Sequence, residues 1–101
     1  MPKPKRRVYV PNDWRHTATD AEEFGELVYL TRGPVGRAQV RANAKRIAEG
    51  LEGSQPHDWL VVGSLSVLTG LAMAAFAAQH GRLNLLVWDQ GRYTAHRVSS
   101  V

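Results

Sequence analysis

The stretch WLVVGSLSVLTGLAMAAFAA, residues 59–78, contains no charged side chain and decides how the chain folds. Twenty such residues are long enough to cross a bilayer as one helix. The first four, however, are apolar and β-prone, and Gly63-Ser64 then supplies a turn and a helix cap. We therefore predict a buried strand at 58–62 and a packed helix at 64–80, with a membrane span over 59–78 as the alternative.

Turn residues alternate with short apolar runs along the rest of the chain. The further predicted elements are strands at 8–10, 27–31, 83–89 and 92–98, a short helix at 20–25 capped by Thr19, and a long helix at 35–51. The Gln90-Gly91 turn between the last two strands predicts an antiparallel hairpin.

This order of elements predicts an α/β fold, because strands that alternate with helices form parallel pairs through right-handed crossovers. The expected architecture is small and Rossmann-like: a mostly parallel sheet of four to five strands, two long helices and a C-terminal antiparallel hairpin. Residues 1–7 are expected to form a basic flexible tail, and residues 8–101 a single α/β domain.

The two long helices differ in their apolar patterns. In the first, one stripe recurs at the helical period, formed by Val40, Ala44, Ile47, Ala48 and Leu51. The helix at 64–80 is apolar on nearly every side. It is therefore expected to be sandwiched, either between the sheet and the other helix or between two subunits of a homo-oligomer.

Composition favours an ordinary globular protein. Apolar residues make up 44% of the 101, charged residues 22%, and there is no cysteine for a disulfide, a thiolate nucleophile or a cysteine zinc site. The basic N-terminus has no apolar stretch behind it, so no secretory signal is predicted and a cytoplasmic location is expected. The net charge of +4 favours polyanionic partners.

Polar and glycine residues follow every predicted parallel strand. In open sheets of this type, ligands bind outside the carboxyl ends of the strands. Free amides at the start of the helix after Gly63-Ser64, with a guanidinium from Arg32, would suit a nucleotide or another anion. The predicted anion rim consists of Asn12, Asp13, Thr31, Arg32, Gly33, Gly63, Ser64, Ser66 and Asp89. Turns and helix caps require the same residue types, so a purely structural role is the alternative.

A second basic feature suits a phosphate backbone. Arg37, Arg41 and Lys45 recur at every fourth position of the first long helix, next to its apolar stripe. Together with the tail residues Lys3, Lys5, Arg6 and Arg7 they form a predicted nucleic-acid surface. The alternative is a solvated helix face whose long side chains cover apolar surface.

The other combinations of side chains do not indicate a specific activity. Carboxylates accompany histidines at Asp13-His16-Asp20 and at His57-Asp58, but neither spacing requires a metal, and no metal or cofactor is predicted. No Walker A motif and no G-x-G-x-x-G is present. Trp14, Trp59 and Trp88 are interpreted as core or interface anchors rather than as base-stacking platforms.

Three segments carry a resemblance to known proteins: FGELVYLTRGP at 24–34, DWLVVGS at 58–64 and GRLNLLVWD at 81–89. Together they are similar to small uncharacterised α/β proteins of bacteriophages and other mobile elements. The layout of the C-terminal part also resembles small CRISPR-associated ring nucleases, which implies a Rossmann-like fold and cyclic oligoadenylate ligands. No catalytic motif of that family matches residue by residue.

The sequence thus supports three functional hypotheses. The first is a phage-type accessory protein that binds an anionic partner, a nucleotide or a nucleic acid, without catalysis. The second is a homo-oligomeric interaction module built on the helix at 64–80. The third is a small phosphodiester hydrolase that uses Asp13, His16 or Ser64.

Overall fold

The computed structural model describes residues 6–12, 19–31, 39–62 and 67–99. Strands and helices alternate along these ranges, with one short 3₁₀ helix near the start. The elements are β1 (Arg7–Val10), the 3₁₀ helix (Thr19–Phe24), β2 (Glu26–Tyr29), α1 (Val40–Gly50), β3 (Trp59–Val62), α2 (Val67–His80), β4 (Arg82–Asp89) and β5 (Arg92–Ser99).

The strands form one five-stranded mixed sheet in the order β2-β1-β3-β4-β5. β1 pairs in parallel with β2 and β3, and β3 pairs in parallel with β4, whereas β4 and β5 are antiparallel. α1 lies between β2 and β3 in the chain, and α2 between β3 and β4, because parallel neighbours need a crossover connection. The predicted α/β class, mostly parallel sheet, two helices and C-terminal antiparallel hairpin are confirmed.

One face of the sheet packs against both α-helices. Successive strand side chains point to opposite faces, and Tyr9 of β1 and Leu60 of β3 point to this one. They meet Ile47 of α1 and Phe76 of α2, and all four side chains are fully buried. Burial of each such side chain contributes about 1.5–3 kcal/mol, so this cluster is a main source of stability.

The opposite face, hereafter the 3₁₀ face, has a thinner cover. Val8, Trp59, Val61 and Leu86 of the strands are buried there with Ala21 of the 3₁₀ helix. β5 lies at the end of the strand order, and six of its eight residues are exposed. The 3₁₀ face therefore opens to solvent toward β5.

Residues 59–78 do not form one continuous helix. β3 covers Trp59–Val62, and α2 begins at Val67 after a stretch outside the described residues. Among the described residues, no helix is both long enough and apolar enough to span a membrane. The predicted change from strand to helix within this stretch is confirmed.

α1 corrects one detail of the predicted apolar stripe. Ala48 is exposed, whereas Asn43, which was not assigned to the stripe, is buried beside Ile47. The Asn43 amide donates a hydrogen bond to the Gln39 carbonyl at 2.9 Å, so its polar group is satisfied. A buried side chain must find such a partner, and the preceding helical turn supplies it.

All five strands have a boundary one or two residues from the predicted one, and two of these differences have a clear cause. β1 begins at Arg7, whose N–H donates to the Asp58 carboxylate at 3.0 Å, one residue before the predicted start. β2 ends at Tyr29 rather than Thr31. Leu30 still donates to the Val10 carbonyl, but Thr31 turns its hydroxyl to the Pro11 carbonyl, and the strand ends.

Candidate anion-binding surface

The described part of the predicted rim joins β1 and β2. The Thr31 hydroxyl lies 2.7 Å from the Pro11 carbonyl and 2.9 Å from Oδ1 of Asn12, so two of the predicted rim residues are brought together. Asp89 lies at the carboxyl end of β4, on the same side of the sheet as the carboxyl ends of β1 and β2. β3, however, separates β4 from β1. The rim residues that lie outside the described ranges are Asp13, Arg32, Gly33, Gly63, Ser64 and Ser66.

The described residues of the predicted nucleic-acid surface lie on two elements. Arg41 and Lys45 are exposed on α1, where Lys45 pairs with Glu49 at 3.9 Å. Arg6 and Arg7 are exposed at the start of β1. They therefore lie at the amino ends of the parallel strands, whereas the rim lies at the carboxyl ends. Lys3, Lys5 and Arg37 lie outside the described ranges, as does His16.

The C-terminal hairpin provides a different basic surface. Gln90 and Gly91 have φ values of 49° and 85°, which is the geometry of a two-residue type I′ turn. The turn fixes the register, so that Asn84 lies opposite Arg97 and Trp88 opposite Tyr93. We call the part of the 3₁₀ face formed by these two strands the hairpin face; its side chains are Arg82, Asn84, Leu86, Trp88, Tyr93, Ala95, Arg97 and Ser99.

Two arginines line one hollow of the hairpin, formed mostly by residues of the hairpin face. This arginine hollow has a volume of about 210 Å³ and is lined by Arg82, Asn84, Arg97, Val98 and Ser99. No carboxylate is in the lining, and neither arginine forms an ion pair with a described carboxylate. Two guanidinium groups in one concave site produce a positive potential that favours an anion.

Trp59 holds Arg97 in place across the sheet. The Arg97 guanidinium carbon lies 5.2 Å from the centre of the Trp59 ring, within the range of a cation–π interaction. Phe24 of the 3₁₀ helix packs edge-on against the same ring, with centroids 5.8 Å apart. Trp59 is therefore a core residue, as predicted, and the arginine is oriented by this buried ring.

A buried polar network forms the floor beneath the arginine hollow. The Asn84 amide donates to the Pro56 and Asp58 carbonyls at 2.6 and 2.9 Å. The Asp58 carboxylate in turn accepts from the N–H groups of Arg7 and Gln55 at 3.0 and 2.8 Å. These bonds tie the loop before β3 to β1 and β4, so that the floor is rigid.

His80 ties the C-terminus of α2 to the loop after α1. The Ser54 hydroxyl donates to the Leu51 carbonyl at 2.7 Å. Nε2 of His80 lies 2.8 Å from Oγ of Ser54. Because the only hydroxyl proton is used, His80 is the donor in the second bond. Burial lowers the pKa of His80 below its ordinary value, and the nearby Asp58 charge opposes the shift.

His57 and Asp58, one of the two histidine–carboxylate combinations in the sequence, lie with Nε2 and Oδ1 3.8 Å apart. The Asp58 oxygens already accept the two backbone bonds that organise the loop. Among the residues that the structure describes, no three histidine, aspartate or glutamate side chains are grouped as a metal site. Asp58 thus stabilises the fold.

Trp88, predicted to be a core or interface anchor, is not buried in the core. Its side chain is 43% exposed at the end of β4, because the cover of the 3₁₀ face does not reach this part of the hairpin. Tyr93 packs edge-on against the indole, with ring centroids 4.9 Å apart and an interplanar angle of 70°. Burial, and then the charge of Asp20, raise the pKa of Tyr93, so its hydroxyl is neutral at physiological pH.

The hairpin residues were not predicted as a site because the sequence signals for ligand binding lie at strand ends. Arg82 directly precedes one predicted strand, Arg97 lies within the next, and 15 positions separate them. One signal was available: Asn84 interrupts the apolar run around it, and a polar residue in a central strand needs a local partner.

The family comparison covers almost all of this structure. The family model described as phage Pam3 gp32-like protein matches residues 5–99, from before β1 to the end of β5. The chain belongs to the phage Pam3 gp32-like protein family. This membership confirms the predicted resemblance to small phage proteins, whereas the likeness to ring nucleases stays a prediction. No curated protein and no solved structure matches the chain significantly.

Proposed function

We propose that this phage accessory protein binds an anionic partner, a nucleotide or a nucleic acid, through the arginine hollow and without catalysis. The observation that carries the proposal is the pair of guanidinium groups, Arg82 and Arg97, in one hollow with no carboxylate in its lining. Arginine matches the geometry of a phosphate group through two parallel hydrogen bonds.

The size of the hollow favours a phosphate group over an enclosed small molecule. Pockets that enclose drug-sized ligands have volumes of about 300–1,000 Å³, and this one has about 210 Å³. A phosphate with a few waters fits, and the rest of the ligand would lie on the surface. The partner is therefore bound mainly by its phosphate groups.

The predicted anion rim is a second place where this partner would bind. The strand order β2-β1-β3-β4-β5 supports the Rossmann-like interpretation, in which ligands lie where the order reverses, between β1 and β3. Asn12 and Thr31 lie beside that point and bond to each other. Variants at the hollow and at the rim distinguish the two positions.

The test is the affinity for a fluorescein-labelled oligonucleotide of about twelve nucleotides, measured by anisotropy at roughly 50 mM salt. Arg82→Ala and Arg97→Ala are each expected to weaken binding about tenfold, since each removes charge-assisted hydrogen bonds. Each should also reduce the slope of log K against log salt by about one. Competition by ATP shows whether a free nucleotide occupies the same site.

Arg46→Ala is the matched control, because Arg46 is exposed on α1 and its loss changes the net charge equally. Its affinity should stay within about twofold of the wild type. Arg41→Ala tests the predicted strip on α1, and Thr31→Val tests the rim. If both hollow variants bind as tightly as the wild type, the proposal is wrong.

Self-association through α2 is the second candidate function, favoured by the exposed apolar side of this helix. Val67 is 61% exposed, and Gly70, Ala74 and Ala78 are exposed along the same side. A side chain added at Gly70 would meet no atom within 4 Å, so a second helix has room to approach. Sedimentation should show a dimer that Ala74→Glu dissociates; a wild-type monomer at every concentration refutes this function.

A further inference from the structure

We infer that the partner is a single-stranded nucleic acid, which places a base on Trp88 and a phosphate in the arginine hollow. This inference rests on the proposed function, because it extends the phosphate site to a second contact. Trp88 offers an exposed indole that is fixed from one side by Tyr93, the arrangement on which unpaired bases stack.

Both contacts lie on the hairpin face. Side chains of β4 alternate between the two faces of the sheet, so Arg82, Asn84 and Trp88 point the same way. Arg97 and Tyr93 join them from β5, because they lie opposite Asn84 and Trp88. A ligand that lies along the hairpin therefore reaches the aromatic pair and the arginine hollow without crossing a sheet edge.

The spacing of the two contacts excludes a mononucleotide as the ligand that fills both. Trp88 lies four residues from Asn84 and six from Arg82 along β4, about 14–20 Å at the usual strand rise. At about 3.4 Å per phosphate, this distance corresponds to four to six stacked nucleotides. A short strand spans it, and a free nucleotide does not.

Of the two strands, β5 offers the open path between the two contacts. Leu86 of β4 is fully buried in the cluster that includes Ala21 of the 3₁₀ helix, whereas Ala95, opposite it on β5, is exposed and carries only a methyl group. On the hairpin face of β5, no long side chain therefore stands between Tyr93 and Arg97. A nucleic-acid backbone can follow this strand closely.

Charge on the hairpin also favours a nucleic acid. Its charged side chains are Arg82, Arg92 and Arg97 on one hand and Asp89 on the other, a formal excess of positive charge. Asp20 near Tyr93 and Asp89 next to Trp88 are acidic residues close to the proposed base site. Neither is in the lining of the arginine hollow.

A duplex would use the arginines but not the indole. Its bases are stacked on each other and their faces are closed, so a side chain reaches a base face only where the strand is unpaired. Single-stranded and double-stranded ligands with the same number of phosphates therefore separate base stacking from phosphate binding.

The experiment measures the anisotropy of a labelled oligothymidylate of about twelve nucleotides and of a duplex of equal phosphate number. Trp88→Ala is expected to weaken binding of the single strand about tenfold or more, since loss of one stacked base costs that much. Trp88→Phe should retain most of the affinity, because it keeps an aromatic face. His96→Ala, which removes an exposed ring from the other face of β5, is the matched control.

The outcomes distinguish phosphate binding in the arginine hollow from base stacking on Trp88. If Trp88→Ala binds like the wild type while Arg97→Ala does not, phosphate binding stands and base stacking is wrong. Equal affinities for the duplex and the single strand also overturn the inference. If neither arginine variant changes the affinity, the proposed function itself fails. Circular dichroism of each variant confirms that the fold is unchanged.

Discussion

Replacing Asp58 with alanine tests the network that supports the hollow. The Asp58 side chain is 1% exposed, and its two oxygens accept hydrogen bonds from the N–H groups of Arg7 and Gln55. The variant leaves both donors without their partner and opens a gap between β1 and the loop before β3. The Asn84 amide, which donates to the Asp58 carbonyl, then loses its fixed acceptor.

The expected loss of stability is large for a chain of this size. Each hydrogen bond to a charged acceptor contributes about 1.5–3 kcal/mol, so the two together account for roughly 3–6 kcal/mol. A domain of this length has a free energy of unfolding of about 5–15 kcal/mol. With a urea dependence of about 1.5 kcal/mol per molar, the midpoint should fall by roughly 2–4 M.

Urea unfolding followed by tryptophan fluorescence measures the change. Glu52→Ala is the matched control, because it removes an exposed carboxylate from the same loop and should shift the free energy of unfolding by less than about 0.5 kcal/mol. Asp58→Asn keeps one accepting oxygen. Its free energy of unfolding should therefore lie between those of Asp58→Ala and Glu52→Ala. If Asp58→Ala loses less than about 1 kcal/mol, the two backbone bonds do not have the stabilising role described.

Three further substitutions have defined outcomes. Gly25→Ala should lower the free energy of unfolding by about 2 kcal/mol or more, because its φ of +155° is strained for alanine and the new methyl would collide with the Arg6 carbonyl; thermal unfolding checks this. Gln90→Asn should raise it by about 0.5 kcal/mol, since asparagine is favoured at a φ of 49° in this turn; an unchanged melting temperature would contradict the assignment of the turn. The His80 pKa is lowered in the folded state from 6.5, so the unfolded chain binds the proton first and stability falls as the pH drops below about 6.5. Urea unfolding at several pH values should show a smaller fall in His80→Gln, and equal pH dependence would exclude His80 as the cause.

The sheet was predictable because its strands are short apolar runs separated by strong turn signals. The Gln90-Gly91 turn also fixed the register of the hairpin, so the position of Arg97 opposite Asn84 could have been deduced from the sequence. The contact of Arg97 with Trp59 could not, since it depends on β3 being the neighbour of β4.

Trp88 shows why the candidate site was harder to predict than the fold. It ends an apolar run and alternates in phase with Leu86, which is fully buried. Its exposure depends on how far the layer above the sheet extends, and in the described part of the chain that layer is the 3₁₀ helix, which packs near β1 and β2. The pattern within one strand contains no information about the length of the layer that covers it.

The position of β5 at the end of the sheet affects how the protein behaves in concentrated solution. An edge strand of eight residues is a template for edge-to-edge aggregation, and charged side chains on such a strand oppose it. Arg92 and Arg97 repel the same strand of a second copy. Variants that remove them, and buffers rich in polyvalent anions, should therefore favour precipitation.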